Sequence, residues 1–282
     1  MPELSDAQIE QEIQKLAQSD IAIPPQPKTL HEVEDALKKG SVNTSKIAGI
    51  LAQDAALTAA IFRVANSAAY GLRRKLESVD QAIALLGLSQ IVHIVKAIYL
   101  RKELGGADPA FEKFWERTND IAQLSTIVAR SQYSVCNISP DEAYLAGLFH
   151  DCGIAILMRR FPDYFKAFRS SRGKDWPNPQ QEDHQISTDH AVVGYMVARH
   201  WLLPAHICNA IRYHHDLQTD DRQVISMVSI LQMAIHIYNR FNNNDDSEWS
   251  VIKHNVLAEI GIHEDSAEEF EEEAMDKLRD QQ

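Results

Sequence analysis

Helix breakers are scarce in this chain, and helix starts are marked repeatedly. Eleven glycines and ten prolines occur in 282 residues, where average usage of about 12 % would supply roughly 34. Long uninterrupted helices are the expected consequence. A Ser or Thr followed three residues later by Glu or Gln lets side chains satisfy the unpaired N–H groups of a helix start. Such pairs stand at Ser5 and Gln8, Thr29 and Glu32, Ser78 and Gln81, and Ser139 and Glu142, the last with Pro140 at the first helical position. Leu57, Ile61 and Val64 recur at helical spacing, as do Ile91, Val95 and Ile98, and Val192, Met196 and Val197; no segment of comparable length alternates strictly. The expected fold class is all-α. The apolar run Ala82–Leu100 carries Ser89, Gln90, His93 and Lys96 and is cut by Gly87, so it reads as two core helices and not as a membrane span.

Lys and Arg number 28 against 40 Asp and Glu, a formal charge of -12. That balance argues against a nonspecific nucleic-acid binder, which needs clustered cations along the phosphate backbone. The local basic run Arg63, Arg73, Arg74 and Lys75 is the feature a nucleic-acid regulator would use. From His263 to Gln282 nine acidic residues stand against two basic ones, so this tail carries -7 of the total. It reads as a solvated terminal helix begun by Ser266 and Glu269, with a docking surface for a basic partner as the alternative. Cys136, Cys152 and Cys208 form no CxxC pair, and Met1 to Asp20 has no basic-plus-apolar signal pattern. Reduced thiols and a cytoplasmic location are expected. Gly105 to Pro109 is the best internal boundary, Ser170 to Ser187 reads as a polar excursion, and Asn242 to Asp246 as a second polar gap.

Further motifs occur in a fixed order: Ile23-Pro24-Pro25-Gln26-Pro27, Ile50 to Leu57, Val64 to Gly71, Ser78 to Gly87, Ala146 to Gly153 with His150-Asp151 inside it, His190 to Gly194, Trp201 to Pro204, and Ile211 to His215. In this order they resemble the HDOD family, the HD-related output domains of bacterial signalling proteins, over roughly residues 21 to 240. The resemblance implies an all-helical domain whose C-terminal part is similar to the HD metal-dependent phosphohydrolases. It divides the chain into an N-terminal helix (1–20), an HDOD domain (21–240, with an N-terminal helical block over 21–108 and an HD-like core over 109–240) and C-terminal helices with the acidic tail (241–282). In the enzymes, His and Asp side chains hold one or two divalent metals that acidify a bound water and clamp phosphate oxygens. His150 and Asp151 match the motif that names the superfamily, and His190, His214 and His215 match further histidine positions. Imidazole and carboxylate donors suit iron, manganese, nickel or zinc.

The departures weigh as much as the matches. Arg117 stands where the resemblance puts the first histidine ligand, and a guanidinium repels a cation. The late aspartate aligns with Ile235, Gly153-Ile154 replaces the Gly-Lys of cyclic-dinucleotide phosphodiesterases, and no Gly-Tyr-Pro follows His214-His215-Asp216. An Arg117–Asp151 ion pair is expected where the enzymes place metal. His214 and His215, about 100° apart on a helix, reach one ion only if the helix end is distorted or two ions are present. His200, His206 and His236 read as surface histidines, and Asn66 and Ser67 as groups that satisfy backbone at a helix end. The leading expectation is a noncatalytic signalling module acting through protein partners, with a degraded metal site and no specific nucleic acid or membrane. The alternative is a metal-dependent phosphohydrolase that uses the five surviving ligands.

Overall fold

The computed structural model describes residues 23–38, 43–66, 74–104, 109–161, 163–168, 176–216, 219–244 and 246–280. The fold is all-α, with no strand among the described residues. The chain divides into two compact units, Pro24–Leu104 and Gly105–Asp280. The expected helix over 1–20, with its Ser5 cap, and Ser67 to Arg73 lie outside the described residues.

The first unit contains α1 (Lys28–Lys38), α2 (Thr44–Leu51), α3 (Ala55–Ala65), α4 (Val79–Leu86) and α5 (Leu88–Leu104). Asn43, Asp54 and Ser78 each accept a hydrogen bond from an N–H in the first turn of the helix they precede, which fixes three of the starts. Thr29 is no cap, because α1 already begins at Lys28, straight after Pro27. Asn66 ends α3, its Oδ1 accepting from Leu76 N at 2.6 Å and its Nδ2 donating to Leu76 O at 3.2 Å. Gly87, at φ +84°, makes the 117° bend between α4 and α5. No single described helix is long and apolar enough to cross a membrane. Ile91, Ile94, Val95 and Leu100 of α5 are buried in the core, and Lys96 is paired with Glu34 of α1 at 2.7 Å.

The second unit contains α6 (Pro109–Ser131), α7 (Tyr133–Cys136), α8 (Pro140–Phe149), α9 (Cys152–Arg160), α10 (Tyr164–Ala167), α11 (Pro179–Ile186), α12 (His190–His200), α13 (Ala205–Tyr213), α14 (Arg222–Phe241), α15 (Trp249–Ile260) and α16 (Ala267–Arg279). A complete capping box at Ser139 and Glu142 starts α8. Helices α6 and α8 run in close contact because residue 147 is glycine: a Cβ there would stand 2.6 Å from Ala122 Cα. Helix α14 crosses the core and buries Met227, Ile230, Leu231, Ala234 and Ile237. Helix α16 packs on it through Ala274, Met275 and Leu278, and Glu271 of α16 is buried against His236 and Arg240 of α14. The acidic tail is thus amphipathic and joined to the core, not solvated all round. Ser266 does not cap it, since its hydroxyl donates to His263 O within the short 3₁₀ turn Glu264–Ser266. His236 is likewise no surface histidine. Its ring stacks on Trp249 and bonds Asp246 at 2.7 Å, and these carboxylates raise its pKa despite burial. The three cysteines are free and buried.

Candidate metal centre

His150 and Asp151 occupy the break between α8 and α9, and both are buried. His190 opens α12, whose start is fixed by Asp189 accepting from Val192 N at 2.7 Å. Helices α9 and α12 approach closely at Gly153, where a Cβ would collide with His190 O and stand 2.7 Å from Gly194 N. That glycine brings His190 beside Asp151. His214 and His215 follow Tyr213, the last residue of α13, and their ring centroids lie 4.1 Å apart.

All five predicted ligand residues therefore meet in one place. Asp151, His190, His214 and His215 offer ligand atoms that lie within 4.8 Å of one another. Asp151 Oδ1 is 3.5 Å from His190 Nε2 and 3.4 Å from His214 Nε2. His150 approaches the other oxygen, with Nε2 2.9 Å from Oδ2. Arg117, from the middle of α6, bonds the same Oδ2 at 2.8 Å, so the ion pair expected from the sequence is present. Trp176 Nε1 donates to Oδ2 at 2.6 Å, and its ring lies 3.9 Å from the Arg117 guanidinium. His236 stands apart from the cluster, and Ile235 of α14 lines the cavity, which has a volume of about 110 Å³.

Every imidazole is held through its Nδ1. That atom of His150 lies 2.6 Å from Gly147 O, and that of His214 lies 2.7 Å from Ile211 O. A carbonyl only accepts, so each Nδ1 carries the proton and each Nε2 is left as a lone pair. Carboxylates do the same for the others: His190 Nδ1 lies 2.6 Å from Glu182, and His215 Nδ1 lies 3.0 Å from Glu248. Glu182, buried on α11, is held further by Tyr164 OH. A carbonyl or carboxylate behind each ring is the arrangement that orients metal-ligating histidines.

The electrostatics follow from these pairs. Burial alone would raise the Asp151 pKa, but the charge and hydrogen bond of Arg117 hold it well below the usual carboxylate range. Burial opposes charge on His190 too, yet Glu182 outweighs it and the pKa rises to about 9. His190 can then donate through Nε2 to His215 Nε2 at 2.8 Å; His215 is pushed down to about 4 by burial and by His214. Even so, His150 Nε2, His214 Nε2 and Asp151 Oδ1 are buried without a hydrogen-bond partner. All three are acceptors, so what completes them is a cation or a donor, not a bare anion. Ligands at about 2.1 Å around a tetrahedral centre lie about 3.4 Å apart, close to the Oδ1 distances above. The residues fit a single divalent ion.

Trp176, Glu182 and Glu248 escaped the sequence reading. Trp176 and Glu248 stand in polar connections, while Glu182 sits on the polar helix α11, which occupies 179–186 of the stretch expected to be an excursion; none of the three segments has an apolar period that would mark it.

The sequence matches the HDOD domain family over residues 23–217. An uncharacterised protein of Treponema pallidum (strain Nichols) is 25 % identical over 217 residues, which is 76 % of this chain but 42 % of that protein; the chain thus spans less than half of that relative's length. Among solved structures, an HDOD domain protein of unknown function from Geobacter sulfurreducens is similar with a TM-score of 0.61 and 22 % identity, over 95 % of this chain and 99 % of the other. A Shewanella amazonensis SB2B protein, provisionally named a metal-dependent phosphohydrolase, is similar with a TM-score of 0.70 and 17 % identity, over 97 % of each. At these identities the structural likeness speaks for the fold. With the family match covering most of the chain and the ordered motifs converging on one buried His/Asp cluster, the protein belongs to the HDOD family.

Proposed function

We propose that this protein is a noncatalytic signalling module that works through protein contacts, its former hydrolytic pocket reduced to a site for at most one divalent ion. The observation that carries this reading is the saturation of Asp151 Oδ2. Arg117 at 2.8 Å and Trp176 at 2.6 Å both donate to it and take up its two lone pairs, which leaves Oδ1 for a cation. A carboxylate that gives one oxygen to each of two ions needs both free, and the two-ion clamp is what stabilises attacking and leaving oxygens together. The fixed positive charge of Arg117 disfavours a second cation beside it. Ile235 adds no donor where the enzymes of the superfamily are expected to supply a carboxylate.

A divalent ion bound here would acidify a coordinated water and offset negative charge. The chain's own residues do the rest of the work. Glu182, Glu248 and the Gly147 and Ile211 carbonyls fix the imidazoles, and Trp176 covers the Asp151–Arg117 pair.

The second reading is a metal-dependent phosphohydrolase. It is favoured by the convergence of Asp151, His190, His214 and His215, and by the provisional name of the Shewanella relative. A panel of phosphomonoesters and nucleotides, assayed with iron, manganese, nickel or zinc, separates the two. We expect no turnover above that of His150→Ala. Metal-dependent hydrolysis that disappears in His150→Ala would establish the enzyme instead.

A further inference from the structure

One buried side chain in the cavity is used by none of the roles assigned so far. Gln232 of α14 is 4 % exposed. It lines the same cavity as Asp151, His214 and His215. Its Nε2 donates to His214 O at 3.0 Å. Because a carbonyl only accepts, this bond fixes which end of the amide is which. Oε1 is thereby turned elsewhere, and it is buried with no hydrogen-bond partner.

Two consequences follow. The Nε2 bond takes up the His214 carbonyl just past the end of α13, where helix carbonyls lack partners. It holds the turn in which two sequence-adjacent histidines face one point. Oε1, meanwhile, joins His150 Nε2, His214 Nε2 and Asp151 Oδ1 in a set of buried orphan atoms that are all acceptors. Orphan buried acceptors in a wild-type core call for an occupant. Gln232 stands three residues before Ile235, so it lies on the same face of α14.

We propose that Gln232 is a positioning and donor residue of the cation site: its amide N–H clamps the His214–His215 turn, and its Oε1 is the neutral oxygen that α14 presents to the ion in place of a carboxylate. This rests on the reading of the cluster as a site for one divalent ion. A neutral oxygen suits a pocket in which Arg117 already offsets part of the Asp151 charge.

The test is a Zn2+ titration of the metal-free full chain, wild type against Gln232→Met and Gln232→Glu. Far-UV circular dichroism and urea midpoints report whether each variant folds. Methionine keeps the volume and removes both functions; glutamate loses the clamp but strengthens the oxygen donor. Wild type should bind one equivalent. Gln232→Met should bind about tenfold more weakly or worse, the range seen when groups supporting metal ligands are removed, and Gln232→Glu should bind at least as tightly as wild type. Two results overturn the proposal: Gln232→Met within twofold of wild type, or Gln232→Glu as weak as Gln232→Met. If wild type binds no Zn2+ and matches His190→Ala, the metal reading of the whole cluster falls, and this assignment with it.

Discussion

At Asp151 the two carboxylate oxygens have different neighbours. Oδ2 receives the guanidinium of Arg117 and the indole N–H of Trp176, whereas Oδ1 faces imidazole nitrogens at 3.4 and 3.5 Å without a hydrogen bond. Removing Arg117 leaves a buried carboxylate short of its main counter-charge. Breaking a buried pair from one side costs about 3–5 kcal/mol, and Arg117→Met should lower the free energy of urea unfolding by that much; a loss under about 1 kcal/mol would mean that the pair is not the anchor of the pocket. The intrusion of Arg117 was legible from sequence because one misfitting residue inside an ordered set of motifs is visible by position. Trp176, Glu182 and Glu248 were not, since a contact made across the fold by a connection or a short polar helix leaves no local pattern.

Helix ends set the geometry of the elements that carry the site. The Ser139–Glu142 box was readable in the sequence and is present, with Glu142 also 3.0 Å from His206 Nε2. The His206 hydrogen bond, aided by Ser139, depresses the Glu142 pKa to about 2. The unfolded chain therefore binds a proton more readily than the native one, so this stabilisation is complete above about pH 4.5 and fades as pH falls toward 2. Wild type should be more stable than Glu142→Gln at pH 6, with the gap in urea midpoint narrowing on acidification below pH 4.5; a gap that stays constant to pH 2.5 would refute the link. Gly153 fixes the α9–α12 approach, and the atoms a new Cβ would meet are backbone. Gly153→Ala should cost at least the upper end of the roughly 1–3 kcal/mol typical of overpacking. An unchanged melting temperature would contradict that packing. What the sequence could not disclose at this scale was that α13 stops before His214, because the next residues do not contain the Gly or Pro that usually marks a helix end.

Across the molecule, one core is finished by a segment that composition makes look expendable. Helix α16 carries much of the negative charge yet buries Ala267, Ala274, Met275 and Leu278, with Glu271 shared between His236 and Arg240. A count of charges suggested a solvated helix; the apolar spacing along the same residues shows the buried face. Met275→Ala should destabilise the protein by about 2–5 kcal/mol while leaving metal content unchanged, whereas a neutral substitution would mean that α16 rests on the core without supporting it. The all-α class was legible because caps, apolar spacing and scarce breakers agree. The convergence of Arg117, Trp176, His190 and His214 on Asp151 required the tertiary fold. The most direct test of a pocket reduced to one cation is the number of divalent ions per chain, measured by elemental analysis after gentle purification and after reconstitution with iron, manganese, nickel or zinc. We predict no more than one, lost in His190→Ala; two tightly held ions per chain would contradict the account.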